Sequence, residues 1–271
     1  MSIHPTAVVS PGARIGAGVS IGAFTVVEDG VEIGDGCRIG PHVSLLRYTK
    51  LGANCRVHDG AVLGDLPQDL AFKDAVSFVE IGPGTTIREH VTVHRGTKEN
   101  TVTRTGADCF LMANSHLAHN VQLGRRVILA NGVLLAGYVE VGDGAFLSGN
   151  LAVHQFVRMG RLAMAGGGGT ITKDVPPFCM TANSAYNRLV GLNSVGLRRA
   201  GMPADERMAL RRAFRSLFLQ RVSVRAAAQE LIRENREGPV REIADFILSS
   251  KRGICAHRGR DRLPDDESPD A

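Results

Sequence analysis

The chain has 271 residues, 32 Lys+Arg against 27 Asp+Glu, 44% hydrophobic residues, 32 Gly and no Trp. That length supports one large domain or two modest ones; no run nears the ~18 apolar residues of a membrane span, and Met1-Ser-Ile-His-Pro5 lacks the basic-then-apolar order of a secretory signal. Cys37, Cys55, Cys109, Cys179 and Cys255 are scattered, odd in number and without a Cys-x-x-Cys pair, which argues against a disulfide scaffold or a Cys-rich zinc site and fits a reducing cytoplasm.

From Ile3 the chain is aliphatic at every sixth residue through Val9, Ile15, Ile21, Val27, Ile33, Ile39, Leu45, Leu51 and Val57 to Leu63. The register resumes at Ile81, Ile87 and Val93, then runs from Leu111 to Met159, with Ile171 still in phase. A period of six fits neither a helix nor a lone strand. It fits a parallel β-helix whose triangular coil has three sides of six residues, so that i and i+18 stack about 4.8 Å apart. Many inward aliphatics are followed by Gly, as in Ile15-Gly16, Ile33-Gly34 and Val141-Gly142; the expectation is that these glycines turn the corners with positive φ.

Two stretches break the register, residues 66–78 and 98–105, where Asp69, Ala75, Glu99 and Thr105 stand in for aliphatics. Both are expected as loops thrown out of the scaffold, the usual place for ligand contacts. After Asp174-Val-Pro-Pro177 the pattern turns helical. Residues 203–219 place Met208, Ala213, Phe214, Leu217 and Phe218 on one face, and further helices are expected over about 223–235 and 239–250. The domains are therefore read as a β-helix over 1–187, a small α-helical domain over 188–254, and a tail over 255–271 that is polar and Pro-containing from Asp261 and expected to be disordered.

Charge divides along the same line. Residues 1–187 carry 15 basic and 15 acidic side chains, and residues 188–260 carry 16 and 7. A basic helical domain implies an acidic partner. Nucleic acid is a poor one, because the segment has no aromatic stacking platform and no binding motif; an acidic carrier protein or a nucleotide diphosphate fits better.

Stacking arithmetic singles out a few of the nine histidines. His119, Gly137 and Gln155 are spaced by 18 and form one column, with His154 beside it. A general base one rung from a small residue whose N–H can meet an oxyanion suits acyl transfer to a hydroxyl. Imidazole titrates near working pH and can take and return the proton. Corner histidines without a chemical role are the competing reading of the same spacing.

His94 in Val-Thr-Val-His-Arg-Gly-Thr, the block Asn114-Ser-His-Leu-Ala-His-Asn120, Ala136-Gly137, Ala152-Val-His-Gln-Phe156, Asp174-Val-Pro-Pro177 and Gly191-Leu-Asn-Ser-Val-Gly-Leu-Arg-Arg199 resemble the UDP-N-acetylglucosamine O-acyltransferases of lipid A synthesis. The resemblance runs from about residue 3 to 250. It implies a left-handed β-helix, a homotrimer with clefts between adjacent subunits, cytoplasmic location, a (3-hydroxy)acyl donor carried by acyl carrier protein, and no metal or cofactor. It also implies roles: His119 as the base toward the sugar 3-hydroxyl, and Gly137 N–H as the oxyanion donor. His94, His116, His154 and Gln155 would shape the sugar and donor pocket, and Gln68 and Asp69 would touch the sugar. Asn193 and Arg199 would contact the nucleotide, Arg suiting a diphosphate through its fork of donors. Gly166 and Gly167 would mark the end of the acyl pocket, kept empty for a long chain.

Three positions depart from the family's pattern: Ala71 stands where a Lys is usual, with Lys73 nearby; Tyr138 replaces the His after the oxyanion glycine; and Arg198-Arg199-Ala200 lacks one arginine. A paralogue acting on a modified or amino UDP-sugar is therefore the alternative acceptor reading. A zinc carbonic anhydrase on the same scaffold would need a third histidine against His116 and His119 and would leave the basic domain unexplained.

Overall fold

A computed structural model describes residues 1–183, 187–220 and 222–257. The six-residue period becomes a three-faced prism. One strand of each coil joins a first face beginning at Ser2–Ile3, the next a second face beginning at Val8–Val9, and the third a third face beginning at Arg14–Ile15. Pairing is parallel and offset by one coil, as in Ile3 with Ile21, Val9 with Val27 and Ile15 with Ile33. This is the left-handed parallel β-helix expected. The aliphatic residue of each strand points inward. It forms one continuous core with the residue two positions before it, such as Val19, Val43 and Val133. Each fully buried aliphatic contributes about 1.5–3 kcal/mol. Truncating Leu117, which lies wholly inside beneath the histidine cluster, would cost about 2–5 kcal/mol.

The corners correct one expectation. Positive φ does not fall on the glycine beside the inward aliphatic, except at Gly64; it falls three residues after the aliphatic, as at Gly18, Gly36, Asn54, Asn114, Asn120, Tyr138 and Phe156. The glycines beside the aliphatic answer a different need, close approach of successive coils. A Cβ on Gly22 would lie 2.6 Å from the Gly40 carbonyl carbon, and one on Gly34 2.6 Å from Ala53 N.

The loops keep the register because each adds a multiple of six. Val57 pairs with Ile87 rather than residue 75, and Val93 with Leu117 rather than residue 111. Residues 66–77 contain no strand, and Phe78–Ile81 already belongs to the third face. The second loop is shorter than expected: Val102–Thr105 is a strand paired with Phe78–Ile81. Thr105 is buried inside the prism with its hydroxyl accepting from Gly82 N at 3.0 Å, so a threonine fills an aliphatic site by finding a backbone donor.

The first face continues past the coils through Cys179–Thr181 and an antiparallel strand, Arg188–Leu192. Four helices follow: α1 (Ser194–Arg199), α2 (Ala204–Phe218), α3 (Val224–Glu234) and α4 (Gly238–Ser249). The last three match the expected helices; the Arg188–Leu192 strand and α1 lie inside the segment read as wholly helical. On α2 the buried face is Leu210, Ala213, Phe214, Leu217 and Phe218, while Met208 is exposed. The segment read as a tail is structured at its start. Cys255 is buried and its N–H donates to Asp174 O at 2.9 Å, and Ala256–His257 pairs with Arg188–Leu189. Residues 258–271 lie outside the described residues. Asp174 fastens the two parts, its carboxylate accepting from Arg158 N and Ser250 Oγ, each at 2.8 Å. Arg161 adds a paired contact to Glu242 on α4, at 2.8 Å. The five cysteines are buried and free, and no helix of the described residues is long and apolar enough to cross a membrane.

Candidate active site

The histidines gather where the second face turns toward the third. His116 points outward from strand His116–Leu117, between Thr92 and Leu134 on the neighbouring coils. Its Nδ1 is 2.7 Å from Thr92 Oγ1, and the His94 ring meets it edge-on at 4.7 Å. Burial, reinforced by the neighbouring His94 and His119, pushes the His116 imidazole down to about 4. Burial also lowers His94, partly opposed by Asp65. Both rings are therefore neutral near pH 7. His94 Nδ1 is buried with no partner among the described residues, an exception to the rule that buried polar atoms are paired.

His119 stands at the corner itself, directly over Gly137 of the next coil. A Cβ on Gly137 would overlap His119 Cε1 and Nε2, so only glycine admits the ring. The His119 tautomer follows from its neighbour. Asn120 Oδ1 accepts from Thr97 N at 3.1 Å, and an N–H can only donate, which identifies that atom as the oxygen. His119 Nδ1 lies 3.1 Å from the same oxygen, so Nδ1 carries the proton and Nε2 carries the lone pair. Asn120 is itself fixed, because its own N–H donates to Thr103 Oγ1 at 2.7 Å.

Among the described residues no acceptor takes the Gly137 N–H. The fold shows what an amide at this corner position can bind. Ala17 and Arg125 each stand two residues after an inward aliphatic, as Gly137 stands after Leu135. Their N–H groups donate to the Asp35 and Asp143 carboxylates at 2.7 and 2.8 Å. An amide that holds a carboxylate oxygen elsewhere in the scaffold is free here for a developing oxyanion.

The other candidates fall around this centre. His154 and Gln155 are on the coil above, both turned toward solvent, with His154 Nδ1 3.2 Å from the Gln155 carbonyl oxygen, to which it donates. Gln68 is exposed and Asp69 half-buried in the first loop, where Asp69 Oδ1 accepts from Ala71 N at 2.9 Å. Arg95 was not singled out from the sequence, yet it anchors that loop. Its guanidinium lies 5.4 Å from both the Tyr48 and Phe72 rings and donates to Ala75 O at 3.2 Å. Asn120 and Thr97 were also missed; the available signal was Asn120's place beside His119 at the left-handed corner position.

Some of the expected positions also carry structural duties. At Gly166 a Cβ would lie 2.5 Å from Ala182 O and at Gly167 2.6 Å from Gly149 O, while Gly168 has φ +69°. Close approach and corner conformation each require glycine in this run, beside any part it has in the acyl pocket. Asn193 is buried and its amide is engaged, Oδ1 capping α1 at Gly196 N and Nδ2 donating to Leu162 O, both at 3.0 Å.

Within one chain the candidates divide between faces. Asn193 and Arg199 border a cavity of about 820 Å3 on the first face, lined also by Ile128, Phe146 and Met164. The His119 corner lies across the second face, whose outward residues include Val8, Val26 and Leu134, 63%, 38% and 48% exposed.

A histidine of fixed tautomer over an unpaired amide, on a β-helix of hexapeptide coils, defines a hexapeptide-repeat acyltransferase. Comparisons with known proteins narrow the class. Residues 174–255 match the second-domain model of UDP-N-acetylglucosamine O-acyltransferase, and residues 12–47, 30–65 and 103–137 match the bacterial transferase hexapeptide model. The acyl-[acyl-carrier-protein]–UDP-N-acetylglucosamine O-acyltransferase of Campylobacter concisus is 41% identical over 96% of this chain and 99% of that protein. Solved UDP-N-acetylglucosamine acyltransferases from Campylobacter jejuni (39% identical, TM-score 0.89, 95% of this chain and 100% of that one) and Francisella novicida (34%, 0.91, 95% of each) share the whole fold. The chain belongs to the UDP-N-acetylglucosamine O-acyltransferase family. That membership displaces the carbonic anhydrase reading.

Proposed function

We propose that this chain moves a (3-hydroxy)acyl group from acyl carrier protein to the 3-hydroxyl of UDP-N-acetylglucosamine, the opening acylation of lipid A synthesis, with His119 as general base. The observation that carries the mechanism is the His119–Asn120 contact at 3.1 Å, which leaves Nε2 unprotonated above Gly137. Nε2 takes the proton of the sugar hydroxyl as its oxygen attacks the thioester carbonyl. The oxyanion that forms meets the Gly137 N–H. Collapse of the tetrahedral intermediate breaks the C–S bond, and the imidazolium returns its proton to the departing carrier thiolate. The C–O bond that forms and the C–S bond that breaks are assisted by proton transfer and by hydrogen bonding alone, so the reaction as drawn uses no metal or cofactor.

The split between faces supports a homotrimer with its clefts between subunits. A second face rich in exposed Val8, Val26 and Leu134 suits a partner's first face, where Ile128, Phe146 and Met164 line the cavity beside Asn193 and Arg199. Such heterologous contacts close into a ring. The acyl chain would then run along Leu134 and Ala152 toward Gly166 and Gly167. Arg199, exposed at the end of α1, would meet the diphosphate, and Gln68, Asp69, His94, His116, His154 and Gln155 would surround the sugar and the donor arm. The basic helical domain would receive the acidic carrier protein, and five free cysteines support a cytoplasmic setting.

Ala71, Tyr138 and Ala200 keep a modified or amino UDP-sugar as the second acceptor reading. A turnover assay of several UDP-sugars against acyl carrier protein thioesters of graded length decides it. UDP-N-acetylglucosamine as the preferred acceptor supports the reading; preference for a 3-amino sugar moves the chain to the paralogue.

A further inference from the structure

Tyr138 sits one coil above Asn120, beside the His119 ring, at the left-handed corner position with φ +60°. Its ring is held on two sides, stacked on Phe156 at 5.0 Å and 15°, and edge-on to His119 at 5.3 Å. Its hydroxyl lies 3.0 Å from Thr97 Oγ1, and Thr97 Oγ1 lies 3.0 Å from Asn120 Oδ1. The proton directions are forced. Asn120 Oδ1 is an acceptor, so the Thr97 hydroxyl donates to it; the lone pairs left on Thr97 Oγ1 accept from the Tyr138 O–H. Asn120 Oδ1 thus collects three donors: Thr97 N, Thr97 Oγ1 and His119 Nδ1.

We propose that Tyr138 and Thr97 are positioning residues for His119, acting through Asn120. The chain Tyr138 O–H to Thr97 O–H to Asn120 Oδ1 holds the amide oxygen in the one place where it stabilises the Nδ1–H tautomer, and each bond polarises the next. Thr97 reaches Asn120 from the start of the second loop. That loop therefore serves the site directly, delivering a backbone N–H and a hydroxyl to the residue beside the base. The inference rests on His119 being that base.

The test uses the full-length chain. Tyr138→Phe keeps both ring contacts and removes only the hydroxyl; Thr97→Val removes a hydroxyl at nearly constant shape; Thr97→Ser restores it. Tyr138→Phe and Thr97→Val are each expected to lower kcat about 3- to 10-fold, the size of one hydrogen bond, with KM for both substrates unchanged. Thr97→Ser should return kcat to within about two-fold, a figure on the scale of the same bond. Because the Tyr138 hydroxyl works only through Thr97, the double variant Tyr138→Phe/Thr97→Val should be no slower than Thr97→Val. Nitrogen NMR of the His119 imidazole should show the Nδ1–H tautomer in the wild type and a rising Nε2–H fraction in both single variants. An unchanged tautomer in both, or losses that multiply in the double variant, overturns the proposal. If His119→Ala keeps wild-type turnover while the tautomer still shifts in Tyr138→Phe and Thr97→Val, the general-base reading falls and the positioning relation stands.

Discussion

The His119 imidazole covers the α-carbon of Gly137 so closely that a Cβ there would overlap its Cε1 and Nε2. The obstructing atoms belong to a side chain that can swing away, so Gly137→Ala should fold and assemble like the wild type. Displacing the base by about an ångström is worth roughly 10²-fold. The variant should lose about that much kcat with little change in melting temperature, measured side by side. A variant that turns over normally would separate the base from the Gly137 rung.

Asn120 gives His119 a neutral partner at 3.1 Å. Asn120→Asp would place a carboxylate on the Nδ1–H, an opposite charge that favours the imidazolium. The proposed base acts only when neutral, so the acid limb of the kcat profile should move to higher pH. A pH–rate profile of the variant checks the direction; a limb that stays in place or moves to lower pH contradicts the assigned contact.

The repeat, the core and the three long helices were legible because each rests on a periodicity. Hidden features depended on atoms that meet across coils. Gly22 and Gly34 occur where a corner was expected, but their reason is the backbone of the next coil, 2.6 Å from a would-be Cβ. Thr105 looked like a break in the repeat because its partner, Gly82 N, is distant in sequence. The column of His119, Gly137 and Gln155 was legible, since residues spaced by 18 stack where no loop intervenes. Asn120 and Thr97 were not, because their tie joins a loop to a corner. The structural duty of Asn193, whose amide caps α1 and donates to Leu162 O, was hidden for the same reason, since Leu162 is distant in sequence.

His116 predicts the acid behaviour of stability. Its pKa is pushed down to about 4 by burial and by its histidine neighbours, against an unfolded value near ~6.5. The unfolded chain therefore binds the proton first. Stability is retained above about pH 6.5, falls as pH drops from there toward 4, and has lost this contribution below it, on the order of 3 kcal/mol. His94, also lowered, adds in the same sense. Urea unfolding at pH 7 and pH 5 should show the fall, and His116→Asn should flatten it. An equal slope in that variant would assign the effect elsewhere.

The exposed arginines of α2 supply a test of carrier recognition. Arg211 and Arg215 are exposed in a domain with a large basic excess. Raising salt, which shortens the Debye length to ~8 Å at 0.15 M, should raise KM for the acyl donor. Arg211→Glu with Arg215→Glu should do the same and leave kcat at saturation nearly unchanged. A donor KM indifferent to both would make this helix face a solvated surface.

The most direct measurement is single-turnover acylation of UDP-N-acetylglucosamine by His119→Ala, with the assembly state recorded on the same sample. The side chain lies outside the aliphatic core, so the variant should assemble as the wild type does. With the Gly137 amide still in place, the acylation rate should fall by about 10²–10⁴-fold. An assembled His119→Ala enzyme that acylates the sugar at near the wild-type rate would contradict the account.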